Sequence, residues 1–221
     1  MNFQQFVVAI DGLAASGKST IAIAVARHFS WERLDSGSFY RFVTLYFLKN
    51  RINWKDEFTL KRELVGLRFD YRPPDHYIEG VVVTELLRSP EIEKYVSEVA
   101  KIPVVREKVN NFLREYATGK KIVVEGRDIG TVVFPEARVK IFLVAQEEIR
   151  AQRRAAQNKR LPFPRSDAEA EENIRLRDSI DSTRDVAPTR PAEDAVIIDT
   201  SSLSLDQTID LVIKLIEERM S

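Results

Sequence analysis

The chain contains no cysteine among its 221 residues and only two histidines, His28 and His76. Without cysteine, disulfides and thiolate-held metals are excluded, and two histidines are too few for a histidine-based metal site. This composition fits a reducing compartment without requiring one.

An excess of either charge is also missing, because 34 Lys and Arg residues balance 34 Asp and Glu residues. Polynucleotide binding usually needs a basic surface, so we expect no DNA or RNA partner. No apolar run approaches the ~20 residues that span a bilayer, and the amino terminus does not resemble a secretory signal. We expect a cytoplasmic monomer without a membrane partner, folded as a single domain of ordinary size.

Short apolar runs alternate with helical patterns along the chain. The runs lie at residues 6–10, 121–124, 139–144 and 195–198. Such runs are typical of parallel strands that are covered on both faces. Between them, apolar residues recur at helical spacing, as in Ile21, Val25 and Phe29,. The alternation predicts an α/β protein with a doubly wound parallel sheet.

Two segments interrupt this alternation. Residues 67–83 predict short strands around a Pro73-Pro74-Asp75 turn, and therefore a small inserted lobe,. Residues 158–167 are polar, basic and interrupted by proline, which predicts a loop between two charged helices and a candidate mobile lid,. Capping patterns predict helix starts at Ser89, Ser166 and Ser204,.

A phosphate-binding loop follows the first apolar run. Residues 12–19 satisfy the pattern G-x-x-x-x-G-K-[ST] between a strand pattern and a helix pattern,. The glycines let backbone N–H groups surround phosphate oxygens, and the next helix presents its positive end. Lys18 would reach the β- and γ-phosphates, and the Ser19 hydroxyl would ligate Mg²⁺. The predicted ATP site consists of Gly12, Leu13, Ala14, Ala15, Ser16, Gly17, Lys18, Ser19 and Thr20.

The loop alone does not distinguish a kinase from a GTPase or a motor. A GTPase usually supplies an N-K-x-D motif, and residues 158–161 lack its carboxylate. Two alternatives to a nucleotide kinase stay open at this point. One is a kinase for another small acceptor, and the other is a non-enzymatic switch that binds ATP without transferring phosphate.

Arginines outside the loop favour a kinase with a phosphorylated acceptor, because two anionic substrates must approach each other. Arg127 follows a buried-looking strand, at the sheet edge where ligands of α/β proteins gather,. We predict a functional role for Arg127 and for Asp128, which could orient a neighbouring arginine. Arg150, Arg153 and Arg154 would project from one helix face and could form a closing clamp,.

Taken together, these motifs resemble the bacterial-type cytidylate kinases, within the nucleoside-monophosphate kinase group of P-loop kinases. The similarity covers nearly the whole chain and rests on the phosphate loop and on residues 34–41, 102–107, 125–135, 140–143, 177–178, 181, 184–188 and 199–201. It implies a P-loop fold with a five-stranded parallel sheet and helices on both faces. It also implies a monophosphate-binding lobe at about 36–100 and a lid at about 150–170.

The resemblance further implies that the γ-phosphate of ATP is transferred to CMP or dCMP with Mg²⁺ as cofactor. The implied substrate-binding residues are Ser36, Tyr40, Arg41, Ser97, Arg106, Arg127, Arg177, Asp181 and Arg184. The implied catalytic residues are Lys18, Arg127, Asp128, Arg153 and Arg184. Asp181 could accept a hydrogen bond from the amino group of cytosine while an arginine donates to the ring acceptors. Leu13 and Ser38 stand where the family commonly has proline and alanine.

Overall fold

The computed structural model describes residues 5–158, 167–183 and 186–220. Two compact units make up the chain, one from Met1–Asp35 with Leu113–Ser221 and the other from Ser36–Phe112. Within the described residues, no helix is long and apolar enough to cross a membrane.

Strands and helices alternate for much of the chain. In chain order they are β1 (Phe6–Gly12), α1 (Lys18–Phe29), β2 (Glu32–Asp35), α2 (Ser36–Lys49), α3 (Glu57–Gly66), β3 (Asp70–Arg72), β4 (Asp75–Ile78), β5 (Val81–Val82), α4 (Pro90–Val99), α5 (Pro103–Ala117), β6 (Lys121–Glu125), β7 (Val139–Val144), α6 (Glu147–Asn158), α7 (Asp167–Thr183), β8 (Val196–Asp199) and α8 (Leu205–Met220). A short 3-10 helix precedes α4 at Leu86–Arg88, and a π-helical segment follows β6 at Ile129–Val133.

A parallel sheet with the strand order β2-β6-β1-β7-β8 forms the centre of the first unit. All seven residues of β1 are buried, as expected for the middle strand of a sheet covered on both faces,. Val8 and Ile10 of β1 join Val25 of α1 and Val212 of α8 in one apolar cluster. Burying a side chain of this size stabilises the fold by roughly 1.5–3 kcal/mol. The predicted α/β fold with a five-stranded parallel sheet is confirmed.

The register of the sheet places the ends of four strands side by side. Ile10 lies opposite Glu125, and Asp35 lies opposite Glu125 on its other side. Gly12 lies opposite Leu143 of β7. The carboxyl ends of the strands therefore form one edge, which is where ligands of open α/β sheets bind.

The second unit contains a three-stranded antiparallel sheet, in the order β3-β4-β5, together with helices. Its centre is aromatic, because the Phe39 ring lies 4.7–5.4 Å from the rings of Phe69, Tyr71, His76 and Phe112. The short strands predicted between residues 67 and 83 are confirmed. That this unit binds the monophosphate stays a prediction.

Two of the three predicted helix starts are confirmed. The Ser89 hydroxyl accepts a hydrogen bond from the Ile92 amide at the start of α4. Ser204 and Gln207 exchange side-chain and backbone hydrogen bonds of 2.9 and 3.1 Å before α8, as a capping box requires,. The third start, Ser166, and residues 159–166 of the predicted lid lie outside the described residues.

Candidate active site

The phosphate loop turns sharply between β1 and α1. Gly12 has a φ of 148°, and a Cβ atom there would come within 2.2 Å of the Leu143 carbonyl oxygen, so only glycine fits,. Gly17, with a φ of 98°, caps the start of α1 without a side chain. No side chain caps this end of α1, and the positive end of the helix attracts an anion,.

The ammonium group of Lys18 lies inside this loop. Its Nζ donates a 2.5 Å hydrogen bond to the Leu13 carbonyl oxygen and lies 3.5 Å from the Ser16 hydroxyl. The side chain is buried, with a relative exposure of only 7%. A positive charge is thus held where the predicted site requires it for the β- and γ-phosphates.

The hydroxyl of Ser19 meets a buried carboxylate. Ser19 Oγ donates a 2.6 Å hydrogen bond to Glu125 Oε2, and Arg33 Nε donates a 2.8 Å bond to Glu125 Oε1. Burial raises the pKa of Glu125 and nearby Asp35 raises it further, whereas Arg33 and Ser19 act to lower it. Because the proton of Ser19 is directed at Glu125, the lone pairs of its oxygen are left for a cation. Hydroxyl and carboxylate oxygens are the hard donors that suit Mg²⁺.

A second buried carboxylate joins β1 to the segment that carries Arg127 and Asp128. Asp11 accepts hydrogen bonds of 2.8 and 2.7 Å from the Ile129 and Gly130 amides, at the start of the π-helical segment. Two donors and burial together fix this short segment immediately after Asp128. Burial also raises the pKa of Asp11 from 3.8 to about 6.

The other end of the π-helical segment is fixed from α5. Arg114 donates 2.9 Å hydrogen bonds through Nε to the Val133 carbonyl and through Nη2 to the Val132 carbonyl. Helical segments of this kind are rare and are frequently found at functional sites. The conformation after Arg127 is therefore determined from both ends.

We expect the stability of the protein to fall, relative to an Asp11→Asn variant, as the pH rises from about 4 to about 6. Because the pKa of Asp11 in the folded protein, about 6, exceeds its ordinary 3.8, the folded state binds this proton more tightly. The resulting stabilisation is complete below the unfolded pKa and disappears as the pH rises through the folded pKa. A shift of this size corresponds to about 3 kcal/mol.

Urea denaturation of both proteins across this pH range tests the expectation. Asp206→Asn, an exposed substitution at the start of α8, is the matched control and should follow the wild-type profile. If the stability difference between the wild type and Asp11→Asn does not change with pH, the assignment of this titration to Asp11 is wrong.

Arg127 and Asp181, both predicted to contact the acceptor, lie in contact with each other. Arg127 Nε donates a 2.9 Å hydrogen bond to Asp181 Oδ2, and both side chains are largely buried. The hydrogen bond uses Nε rather than a terminal nitrogen of the guanidinium. The arrangement orients the guanidinium, whose planar fork suits a phosphate group.

Two arginines of α6 reach the phosphate loop and the end of β8. Arg150 Nη1 donates a 3.2 Å hydrogen bond to the Ala14 carbonyl oxygen. Arg153 donates 2.8 Å bonds to the hydroxyl and the carbonyl of Thr200, whose hydroxyl lies 3.3 Å from the Ser16 carbonyl oxygen. That these arginines close over ATP, and that Arg153 is catalytic, stays a prediction.

Five predicted substrate residues lie in the second unit. Tyr40 donates a 3.3 Å hydrogen bond to Asn110, and the Arg106 guanidinium lies 5.5 Å from the centre of the Tyr40 ring. Arg41 is buried and donates a 2.6 Å bond to Glu93 and a 2.9 Å bond to the Leu87 carbonyl. The remaining two are Ser36, buried at the start of α2, and Ser97, half-buried on α4. Arg177 lies on α7, and Arg184 lies outside the described residues.

The sequence of this chain is similar to those of known proteins. The family model described as cytidylate kinase matches residues 8–218. A cytidylate kinase of Thermotoga neapolitana is 43% identical over 216 residues, which are 97% of this chain and 98% of that protein. A cytidylate kinase of Fusobacterium nucleatum is 40% identical over 212 residues, which are 96% of this chain and 97% of that protein.

Among solved structures, TT1252 from Thermus thermophilus matches with a TM-score of 0.52. The match covers 99% of each chain at 16% sequence identity. At this level of identity the likeness shows the fold alone.

Proposed function

This chain belongs to the cytidylate kinase family, and from that membership and the geometry of the site we propose its reaction. The enzyme transfers the γ-phosphate of ATP to CMP or dCMP, and the products are CDP or dCDP and ADP. The two hydrogen bonds that Asp11 accepts from the Ile129 and Gly130 amides carry the proposal. They hold the Arg127 segment beside the strand that leads into the phosphate loop.

The side chains of the first unit have distinct tasks in this reaction. Lys18 and the N–H groups at the start of α1 bind the phosphates of ATP. Arg127, oriented by Asp181, binds the phosphate of the acceptor and neutralises charge as the two anions approach. No strong base is needed, because a loose transition state for phosphoryl transfer depends mainly on alignment and on electrostatic stabilisation.

We infer that the metal is Mg²⁺ and that Ser19 holds it. The site suits Mg²⁺, because the Ser19 hydroxyl donates its proton to the Glu125 carboxylate and so directs the lone pairs of its oxygen toward a cation,. When bound, Mg²⁺ supplies positive charge to the phosphate oxygens of ATP. Glu125 then acts on the cation through Ser19, by orienting the hydroxyl.

We also propose that the enzyme works as a monomer in the cytoplasm. The cysteine-free composition supports a reducing compartment, because no part of the fold depends on disulfides,. Size-exclusion chromatography with light scattering, at several protein concentrations and with both nucleotides present, tests the oligomeric state. A mass that rises with concentration would contradict it.

We expect turnover with CMP and dCMP to exceed turnover with UMP, AMP and GMP by a factor of about 10² or more. A pocket that hydrogen-bonds the edge of one base rejects bases that leave its polar groups unpaired. The measurement is a coupled assay of ADP formation with ATP and Mg²⁺, repeated for each acceptor and for no acceptor. Strong turnover with another acceptor would favour a different small-molecule kinase, and slow hydrolysis with none would favour a switch.

A further inference from the structure

We propose that Asp178 and Arg150 hold the phosphate loop in its binding conformation and that Asp178 links the loop to Arg127. Asp178 is then a positioning residue for both substrates. The part of this inference that concerns the acceptor rests on the proposed function, and the part that concerns ATP does not.

One ion pair contacts both backbone polar groups of a single loop residue. Asp178 Oδ1 accepts a 2.9 Å hydrogen bond from the Ala14 amide. Arg150 Nη1 donates to the Ala14 carbonyl oxygen at 3.2 Å and also pairs with Asp178 Oδ2. Arg150 Nε donates a 3.1 Å bond to the Ala145 carbonyl, just after β7, which fixes the guanidinium. The Ala14 backbone is therefore held from α6 and α7 at once.

The residue after Ala14 shows why such a constraint is useful. Ala15 has a φ of 58°, in the left-handed region that costs a residue with a Cβ atom about 1 kcal/mol,. A conformation of this kind persists where its surroundings determine it. The hydrogen bonds to the Ala14 backbone fix the chain directly before Ala15, the strained residue. They preserve the curvature that turns the following N–H groups of the loop toward phosphate.

The Asp178 carboxylate contacts the phosphate loop without opposing ATP binding, because its charge is compensated. A carboxylate on a phosphate loop would by itself repel the anion that the loop binds. Arg150 is buried and in direct contact with Asp178, so the positive and the negative charge compensate each other. The pair can thus shape the loop without making it negative.

The same face of α7 continues to the acceptor side. Asp181 follows Asp178 by three residues, and residues at this spacing are neighbours on one face of a helix,. Asp181 accepts the hydrogen bond from Arg127 Nε. One face of α7 therefore presents two carboxylates. Asp178 accepts a hydrogen bond from the phosphate loop, and Asp181 accepts one from Arg127, the arginine predicted to bind the acceptor phosphate. Displacing the first contact should disturb the second.

The test compares Asp178→Ala with Asp178→Asn. Alanine removes the acceptor of the Ala14 amide and the partner of Arg150, whereas asparagine keeps the shape and one acceptor oxygen. Glu147→Gln is the matched control, because it breaks the exposed Arg175–Glu147 pair, which also joins α7 to α6. Thermal melting establishes that each variant is folded, and calorimetric titration with ATP in the absence of acceptor gives the dissociation constant.

We expect Asp178→Ala to raise the Kd for ATP about tenfold to hundredfold, the range expected for lost hydrogen bonds to charged groups. Asp178→Asn should lie between this variant and the wild type, and Glu147→Gln should stay within about twofold of the wild type. In steady-state kinetics, Asp178→Ala should also raise the KM for CMP at saturating ATP, while Glu147→Gln should not.

An unchanged Kd for ATP in folded Asp178→Ala would overturn the inference. A raised Kd for ATP with an unchanged KM for CMP would overturn the link to the acceptor and leave a role confined to the loop. Because ATP binding is measured without an acceptor, a wild-type enzyme that binds ATP but does not phosphorylate CMP would count against the proposed function alone.

Discussion

Replacing Lys18 with alanine is expected to lower kcat by about a thousandfold, with intact folding. In the proposed reaction the ammonium lies against the β- and γ-phosphates and stabilises the negative charge that develops on the leaving oxygen as the phosphoryl group moves. Because the side chain is buried within the loop, water cannot readily replace it,. The coupled assay at saturating ATP and CMP measures the effect.

Lys18 also donates to the Leu13 carbonyl oxygen, so part of any loss could come from a changed loop. Thermal melting separates that contribution from the loss of charge at the phosphates. Lys214→Ala, which removes an exposed lysine from α8, is the matched control and should leave kcat unchanged. If folded Lys18→Ala keeps kcat within tenfold of the wild type, the catalytic role of Lys18 is wrong.

Much of the fold could be predicted because four of the five parallel strands are apolar runs. β2 was not predicted, since Glu32–Asp35 is polar and only Leu34 is fully buried. This strand lies at the edge of the sheet and, within the part of the chain that the structure describes, pairs with β6 alone. Its conformation depends on partners about ninety residues away in sequence, which is not a local signal,.

The same lack of a local signal separates the parts of the site that could be predicted from the sequence from those that could not. The phosphate loop is contiguous, so its motif was sufficient. The contacts of Asp11 and Glu125 depend on the register of β1 beside β6, and the contact of Asp178 with Ala14 depends on how α7 packs. A carboxylate near the end of each of two apolar strands was the available signal, because those ends lie at the ligand-binding edge.

The second large effect is expected at Arg127. Arg127→Ala should lower kcat/KM for CMP by about a thousandfold and change the Kd for ATP by less than about threefold. The variant removes the guanidinium from the proposed site of the acceptor phosphate, and Asp181 loses the hydrogen bond from Arg127 Nε. Kinetics with CMP varied at saturating ATP measure the first quantity, and calorimetry without acceptor measures the second.

Arg127→Lys tests whether geometry or charge alone matters at this position. Lysine keeps the charge but cannot bond Asp181 through one nitrogen while presenting a planar fork to phosphate. We therefore expect kcat/KM for CMP in Arg127→Lys to exceed that of Arg127→Ala by no more than about tenfold. Asp181→Asn alone should lower kcat/KM for CMP. In a protein that already carries Arg127→Ala, the same substitution should lower kcat/KM by a smaller factor, because the two residues act as one unit,. Full additivity would mean that Asp181 does not act through Arg127. An equal loss of ATP and CMP binding in Arg127→Ala would mean that the arginine supports the phosphate loop rather than the acceptor.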